Sequence, residues 1–107
     1  MDIFYALADP NRRKIVELLS SAGPLTATQI CSHFPVSPPA ISQHLKVLRE
    51  AGLVRMEKQA QQRVYRLNPG AMLELEDWAR QLAEVWTRRY AALETVLERE
   101  QHKLSGS

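Results

Sequence analysis

Apolar residues along most of this chain recur at spacings of three and four, and they alternate in only one stretch, so the pattern predicts helices with a single hairpin. Asp9-Pro10 reads as an N-cap followed by proline at the first helical position, where the missing N–H costs nothing. The helix it opens carries Ile15, Val16, Leu18 and Leu19 as a core stripe and sets Arg12, Arg13 and Lys14 on the wet side. A short amphipathic helix over residues 3–8 precedes it, and the run SSAGP over residues 20–24 ends it. Thr26 and Gln29 form a capping-box pattern, after which Ala27, Ile30, Cys31 and Phe34 share one buried face until Pro35 stops the helix.

Val36-Ser37-Pro38-Pro39 is a tight connector in which Ser37 is the N-cap of the next helix. That helix covers residues 37–51, turns Ile41, Leu45 and Leu48 inward, and ends at Gly52, a natural residue just past a helix C-terminus. Residues 53–59 and 63–67 are the two arms of the hairpin, joined through Ala60, Gln61 and Gln62, with Tyr65 and Leu67 toward the core and Arg66 away from it. Asn68-Pro69 caps a final helix over residues 71–100, about 45 Å long at 1.5 Å per residue and longer than a small domain needs for its own packing. The expected fold is therefore mainly α with a small β-hairpin wing, a winged helix-turn-helix. It forms a single domain over residues 1–107, with a core over 1–70, the long helix over 71–100 and a disordered tail over 101–107.

The outward face of the helix at 37–51 carries the candidate chemistry. Opposite its core stripe lie Pro39, Ser42, Gln43, Lys46 and Glu50. Glutamine can bond adenine through two hydrogen bonds, serine is adaptable, and lysine reaches guanine or phosphate, which is what a helix in the major groove needs. A merely solvated face has much the same composition, and what argues for reading DNA is the context of capped helix, tight turn, second helix and basic hairpin. The helix N-terminus also offers N–H groups to phosphate, less the two that Pro38 and Pro39 remove. The hairpin brings Arg55, Lys58, Gln59, Gln61, Gln62, Arg63 and Arg66 to the DNA backbone or minor groove, above all Arg63 and the tip glutamines, and its charged edge also discourages sheet-to-sheet aggregation. Arg12, Arg13 and Lys14 could add phosphate contacts or be simply solvated.

Net charge sharpens this only when it is divided. The chain is +2 overall, but residues 1–70 hold nine Lys/Arg against five Asp/Glu, whereas residues 71–107 hold five against seven. The basic excess lies in the helix-turn-helix and wing, as a polyanion binder requires. In the last helix Leu75, Trp78, Leu82, Val85, Trp86, Leu93, Val96 and Leu97 make one apolar seam, with Ala79 and Tyr90 beside it. Two tryptophans there need a partner surface, for which a twofold copy of the chain is the simplest candidate, and Phe4 and Leu7 join the same dimer contact.

Other chemistries find little support. No run of 18 apolar residues spans a membrane, and the beginning MDIFYALADP lacks a basic secretory region, which points to the cytoplasm. Cys31 is the single cysteine and sits on a core stripe, where it serves as a small hydrophobe. His33, His44 and His102 have no metal-ligand spacing, and there is neither a Gly-rich phosphate loop nor a nucleophile–base pair. No enzyme activity, metal or cofactor is expected. A winged helix that binds another protein instead of DNA is the alternative, against which the basic wing counts.

The segments ALADPNRRKIVELL, FPVSPPAISQHLKVLREAGLV and RVYRLNP resemble the ArsR/SmtB family of winged-helix repressors across residues 3–70. The trailing segment containing RRYAALETVL is similar to its non-metal-sensing, SdpR-like autorepressor branch. The resemblance implies a homodimer that binds an inverted-repeat operator in double-stranded DNA and represses transcription, with Ser37, Pro39, Ser42, Gln43, Lys46, Gln62, Arg63 and Arg66 at the DNA. It implies Phe4, Leu7, Leu75, Trp78, Leu82, Trp86 and Leu93 at the dimer contact. Arsenic-sensing members carry paired cysteines where this chain has Thr26 and Thr28, with only Cys31 matching a later one; zinc-sensing members use histidines of the last helix, absent from 71–99 here; sulfur-responsive members use two cysteines. The resemblance thus argues against metal sensing and leaves the effector open.

Overall fold

Side-chain caps set most of the element boundaries. The computed structural model describes residues 2–105. Asp2 caps α1 (Ile3–Leu7) and Asp9 caps α2 (Pro10–Ala22), the latter accepting from the backbone of both Asn11 and Arg12. Gly23, at φ +82°, turns the chain out of α2 into β1 (Leu25–Thr26). Thr26 and Gln29 cap each other's backbone at the start of α3 (Ala27–Cys31), a complete capping box.

Ser37 caps α4 (Pro38–Glu50). Beyond its end, the Gly52 N–H reaches the Arg49 carbonyl and the Leu53 N–H reaches the Leu48 carbonyl, so two orphan carbonyls are satisfied by a turn that needs Gly52 at φ +79°. Strands β2 (Val54–Gln59) and β3 (Gln62–Leu67) form the hairpin, and α5 runs over Pro69–Ser105. Asn68 ties hairpin to helices: its backbone N–H reaches the Leu53 carbonyl, its side-chain amide donates to the Gly52 carbonyl at 2.8 Å, and its side-chain Oδ1 accepts from the Gly70 N–H.

The chain divides into two units, Met1–Met72 and Leu73–Ser107. In the first, Ile15, Ile30, Ile41, Leu45, Leu48 and Leu53 are fully buried and form one core with Tyr65 and Val54. The second consists of the rest of α5 and buries none of its described residues. No helix among the described residues is long and apolar enough to cross a membrane.

The winged helix-turn-helix expectation holds, with four differences of detail. First, the hairpin belongs to a three-stranded antiparallel sheet in the order β1-β3-β2, with Leu25 opposite Tyr65 and Thr26 opposite Val64. Two residues are too few to carry an alternating pattern. Second, α3 ends at Cys31, not at Pro35, because the Ser32 hydroxyl and His33 Nδ1 both donate to the Gln29 carbonyl and close the last turn early. Third, α5 starts at Pro69 and continues past residue 100 to Ser105, so the tail expected over 101–107 is helical as far as 105; residues 106–107 lie outside the described residues. Fourth, the hairpin loop is two residues, Ala60-Gln61, with Gln62 already paired to Gln59.

The short loop holds Ala60 at φ +56°. A left-handed conformation costs an L-residue about 1–2 kcal/mol, while glycine loses about 0.5–1 kcal/mol more chain entropy than alanine on folding. Ala60→Gly is therefore expected to stabilise the protein by about 0.5 kcal/mol, the difference of those two terms. The midpoint of urea unfolding measures it, and a lower midpoint for the variant would show that the loop is not strained.

Candidate nucleic-acid interface

On α4 the burial pattern separates two faces. Ile41, Leu45 and Leu48 are buried as their spacing requires, and Val47 joins them. Pro39, Ser42, Gln43, Lys46, Arg49 and Glu50 are all exposed, and at 3.6 residues per turn they share an arc of about 120° opposite the core stripe. Ser37 stands exposed at the start of that face, with its hydroxyl accepting from the Ala40 N–H at 3.4 Å. The hydroxyl proton remains to donate outward.

The helix N-terminus itself offers less than expected. Pro38 and Pro39 carry no N–H, Ala40 is capped by Ser37, and the Ile41 N–H bonds the Ser37 carbonyl. Phosphate contacts at this end must come from side chains, not from the first-turn amides that bind anions elsewhere.

Strand alternation sorts the wing. Lys58 lies opposite Arg63, on the face that carries the core pairs Val54–Leu67 and Met56–Tyr65. Arg55 lies opposite Arg66 on the other face, with the pairs Glu57–Val64 and Gln59–Gln62. Two arginines directly opposite repel, and the Arg66 guanidinium is bonded to the Glu57 carboxylate, its diagonal neighbour. Arg63 and Arg66 are both exposed, but the hairpin presents them on opposite faces. The pairing of Lys58 with Arg63 follows from the two-residue loop, whereas a loop of Ala60, Gln61 and Gln62 would set Gln59 opposite Arg63. Arg49 adds a further cation to the exposed arc of α4.

Of the three basic residues at the start of α2, Arg13 and Lys14 are exposed, whereas Arg12 is not on the wet side as its position suggested. Its guanidinium turns back to the carbonyls of Ala6 and Tyr5 and to His44 of α4. Beside it, partial burial raises the pKa of Asp9, but the backbone N–H groups of Arg12 and Asn11 and the electrostatic attraction of the nearby His44 ring and Arg12 guanidinium outweigh it, so the carboxyl lies below its ordinary value. Cys31 is half-buried with a free thiol. Among the described residues no group of three or more His, Cys, Asp and Glu could hold a metal ion.

The residues expected at a dimer contact divide by exposure. Phe4 on α1 is exposed, and Leu7 is half-buried against its own core. On α5, Leu75 is half-buried, while Trp78, Leu82, Val85, Trp86, Tyr90, Leu93, Val96 and Leu97 are exposed, Trp86 by 68%. Large apolar side chains in such a row are uncommon on a monomer's surface.

Residues 9–56 match the family described as bacterial regulatory protein, arsR family. The HTH-type transcriptional regulator Rv2034 of Mycobacterium tuberculosis is 41% identical over 95 residues, which are 89% of this chain and 85% of that protein. The transcriptional repressor SdpR of Bacillus subtilis is 38% identical over 77 residues, 72% of this chain and 84% of its own length. In three dimensions, an ArsR-like transcriptional regulator from Rhodococcus sp. RHA1 is similar with a TM-score of 0.73 at 29% identity, covering 88% of each chain.

Proposed function

The chain belongs to the arsR family of bacterial regulatory proteins, a family of transcriptional regulators and not of enzymes, and from that premise we propose that it is a homodimeric repressor that reads an inverted-repeat operator in double-stranded DNA. The observation that carries the reading is the exposed face of α4, where Ser42, Gln43 and Lys46 stand together opposite a fully buried stripe. In this reading Gln43 and Ser42 meet base edges, and Lys46 meets guanine or phosphate beside Pro39. Ser37, Gln62, Arg63 and Arg66 lie along the backbone, with Arg63 the stronger contact because Glu57 already holds Arg66. The likeness to a protein named as a transcriptional repressor supports the sign of regulation. The setting is the cytoplasm, where bacterial DNA is found.

Dimerisation is proposed through the α5 seam of Leu75, Trp78, Leu82, Trp86 and Leu93, with Phe4 and Leu7 joining from α1. A twofold axis then sets the two α4 helices in successive major grooves about 34 Å apart.

Gel shifts with the DNA upstream of the protein's own coding region, against random duplex, test this. Gln43→Ala is expected to weaken specific binding about 10- to 100-fold, the 1–3 kcal/mol of one bidentate base contact, and to leave random-duplex binding unchanged. Arg63→Ala should weaken both and flatten the dependence of log K on log salt by about 0.9, one phosphate's worth. If a pool of randomised duplexes also yields none that the wild-type protein prefers, the reading fails.

A further inference from the structure

Arg12 makes a side-chain hydrogen bond that reaches across 32 residues of sequence to α4. Its Nε donates to the Ala6 carbonyl at 2.7 Å, one terminal nitrogen donates to the Tyr5 carbonyl at 3.4 Å, and the other lies 3.3 Å from His44 Nδ1. The guanidinium also lies over the Tyr5 ring, 5.6 Å from its centre. Arginine only donates, so this contact requires His44 Nδ1 to be an unprotonated acceptor, which places the ring proton on Nε2. That nitrogen lies 4.0 Å from Asp9 Oδ1, and the same Asp9 oxygen caps α2 at the Arg12 N–H. One residue thus links the backbone of α1, the first turn of α2 and a side chain of α4. The His44 side chain is only 17% exposed, so the link is sheltered from water.

We propose that Arg12 is a positioning residue for DNA reading, fixing the rotation of α4 about its own axis through His44; this rests on the proposal that the exposed face of α4 reads bases. The core stripe Ile41, Leu45 and Leu48 holds α4 against the domain, but apolar contacts are non-directional and tolerate small rotations. On a helix with an outer radius of about 5–6 Å, a rotation of about 20° carries a side-chain tip about 2 Å sideways. Hydrogen-bond distances vary by only about 0.5 Å, so such a rotation would take Gln43 out of reach of a base edge. His44 lies on the flank between the core stripe and the reading face, next in sequence to Gln43. A directional bond at that point resists the rotation that core packing permits. A direct phosphate contact by Arg12 is the competing role, and its hydrogen bonds to α1 and α4 speak against it.

The test uses the full-length protein, the duplex that the wild type selects from a randomised pool, and a scrambled duplex of the same composition. Arg12→Gln is expected to lower the selected-to-scrambled affinity ratio about 10-fold, with scrambled binding and the salt slope unchanged. His44→Leu should lower the ratio equally, His44→Asn should retain it by keeping an acceptor near the Nδ1 position, and the Arg12→Gln/His44→Leu double variant should be no worse than either single one. An unchanged ratio with a salt slope flatter by about 0.9 makes Arg12 a phosphate contact and overturns the proposal. Loss in His44→Asn as large as in His44→Leu also overturns it, and the His44 pair decides the matter if Arg12→Gln proves too unstable to assay. A wild type that selects no duplex sinks the reading role of α4 itself, an outcome distinct from either of these.

Discussion

Replacing Leu82 and Trp86 together with glutamate is expected to leave the protein monomeric at micromolar concentration and to reduce its affinity for a selected operator by at least 100-fold. Both side chains are exposed in the single chain, and they lie one helical turn apart in the same row on α5. An aromatic residue of this size buries about 150–250 Å², worth about 4–6 kcal/mol at 25 cal/mol per Å², and a twofold interface counts each residue twice. Glutamate removes that term and sets like charges against their symmetry mates. Sedimentation velocity reads the mass, and gel shifts read the DNA consequence, because a monomer can hold only one half-site at a time.

The control is Arg88→Glu. At about 100° per residue the exposed Arg88 lies about 140° round α5 from the midpoint between Leu82 and Trp86, and its substitution should change neither mass nor affinity beyond a small electrostatic effect. A double glutamate variant that stays dimeric would place the dimer contact away from the tryptophan seam.

What the sequence made legible was local. Asp9, Thr26 and Ser37 were each recognisable as caps because the bond they make closes over two or three residues, and the structure contains all three. Gly52 was legible for the same reason, as was the inward stripe of α4. The features that escaped notice depend on partners distant in sequence. β1 exists because Leu25 and Thr26 find β3 some forty residues later, and nothing in a two-residue strand announces that. Arg12 looked like a solvated residue of a first turn, and only the approach of α1 and α4 reveals three acceptors around it. On the wing, composition showed many cations but not which faced the same way. The pairing register separates Arg63 from Arg66, and Glu57 distinguishes the arginine already paired from the one that is not.

The second large effect lies on the core-facing side of α4, with Leu48→Ala expected to cost the protein about 2–5 kcal/mol, the range for a leucine truncated in a packed interior. Leu48 is fully buried, and its carbonyl accepts the Leu53 N–H in the turn that launches β2, so the cavity would open where helix and wing join. Domains of this size have about 5–15 kcal/mol in all, and each kilocalorie shifts Tm by about 4–8 °C, so a fall of about 10 °C or more is expected at a fixed protomer concentration. Gln43→Ala, five residues earlier on the exposed face, should move Tm by no more than a surface substitution does, about 0.5 kcal/mol. The two variants therefore separate what one helix does twice. Below its own Tm, Leu48→Ala should lose DNA binding only in proportion to the fraction unfolded, keeping its preference among sequences, while Gln43→Ala should lose that preference and keep its stability. If Leu48→Ala instead altered the choice of duplex at full folding, the inward face of α4 would be setting the geometry of reading and not only the stability of the helix that reads.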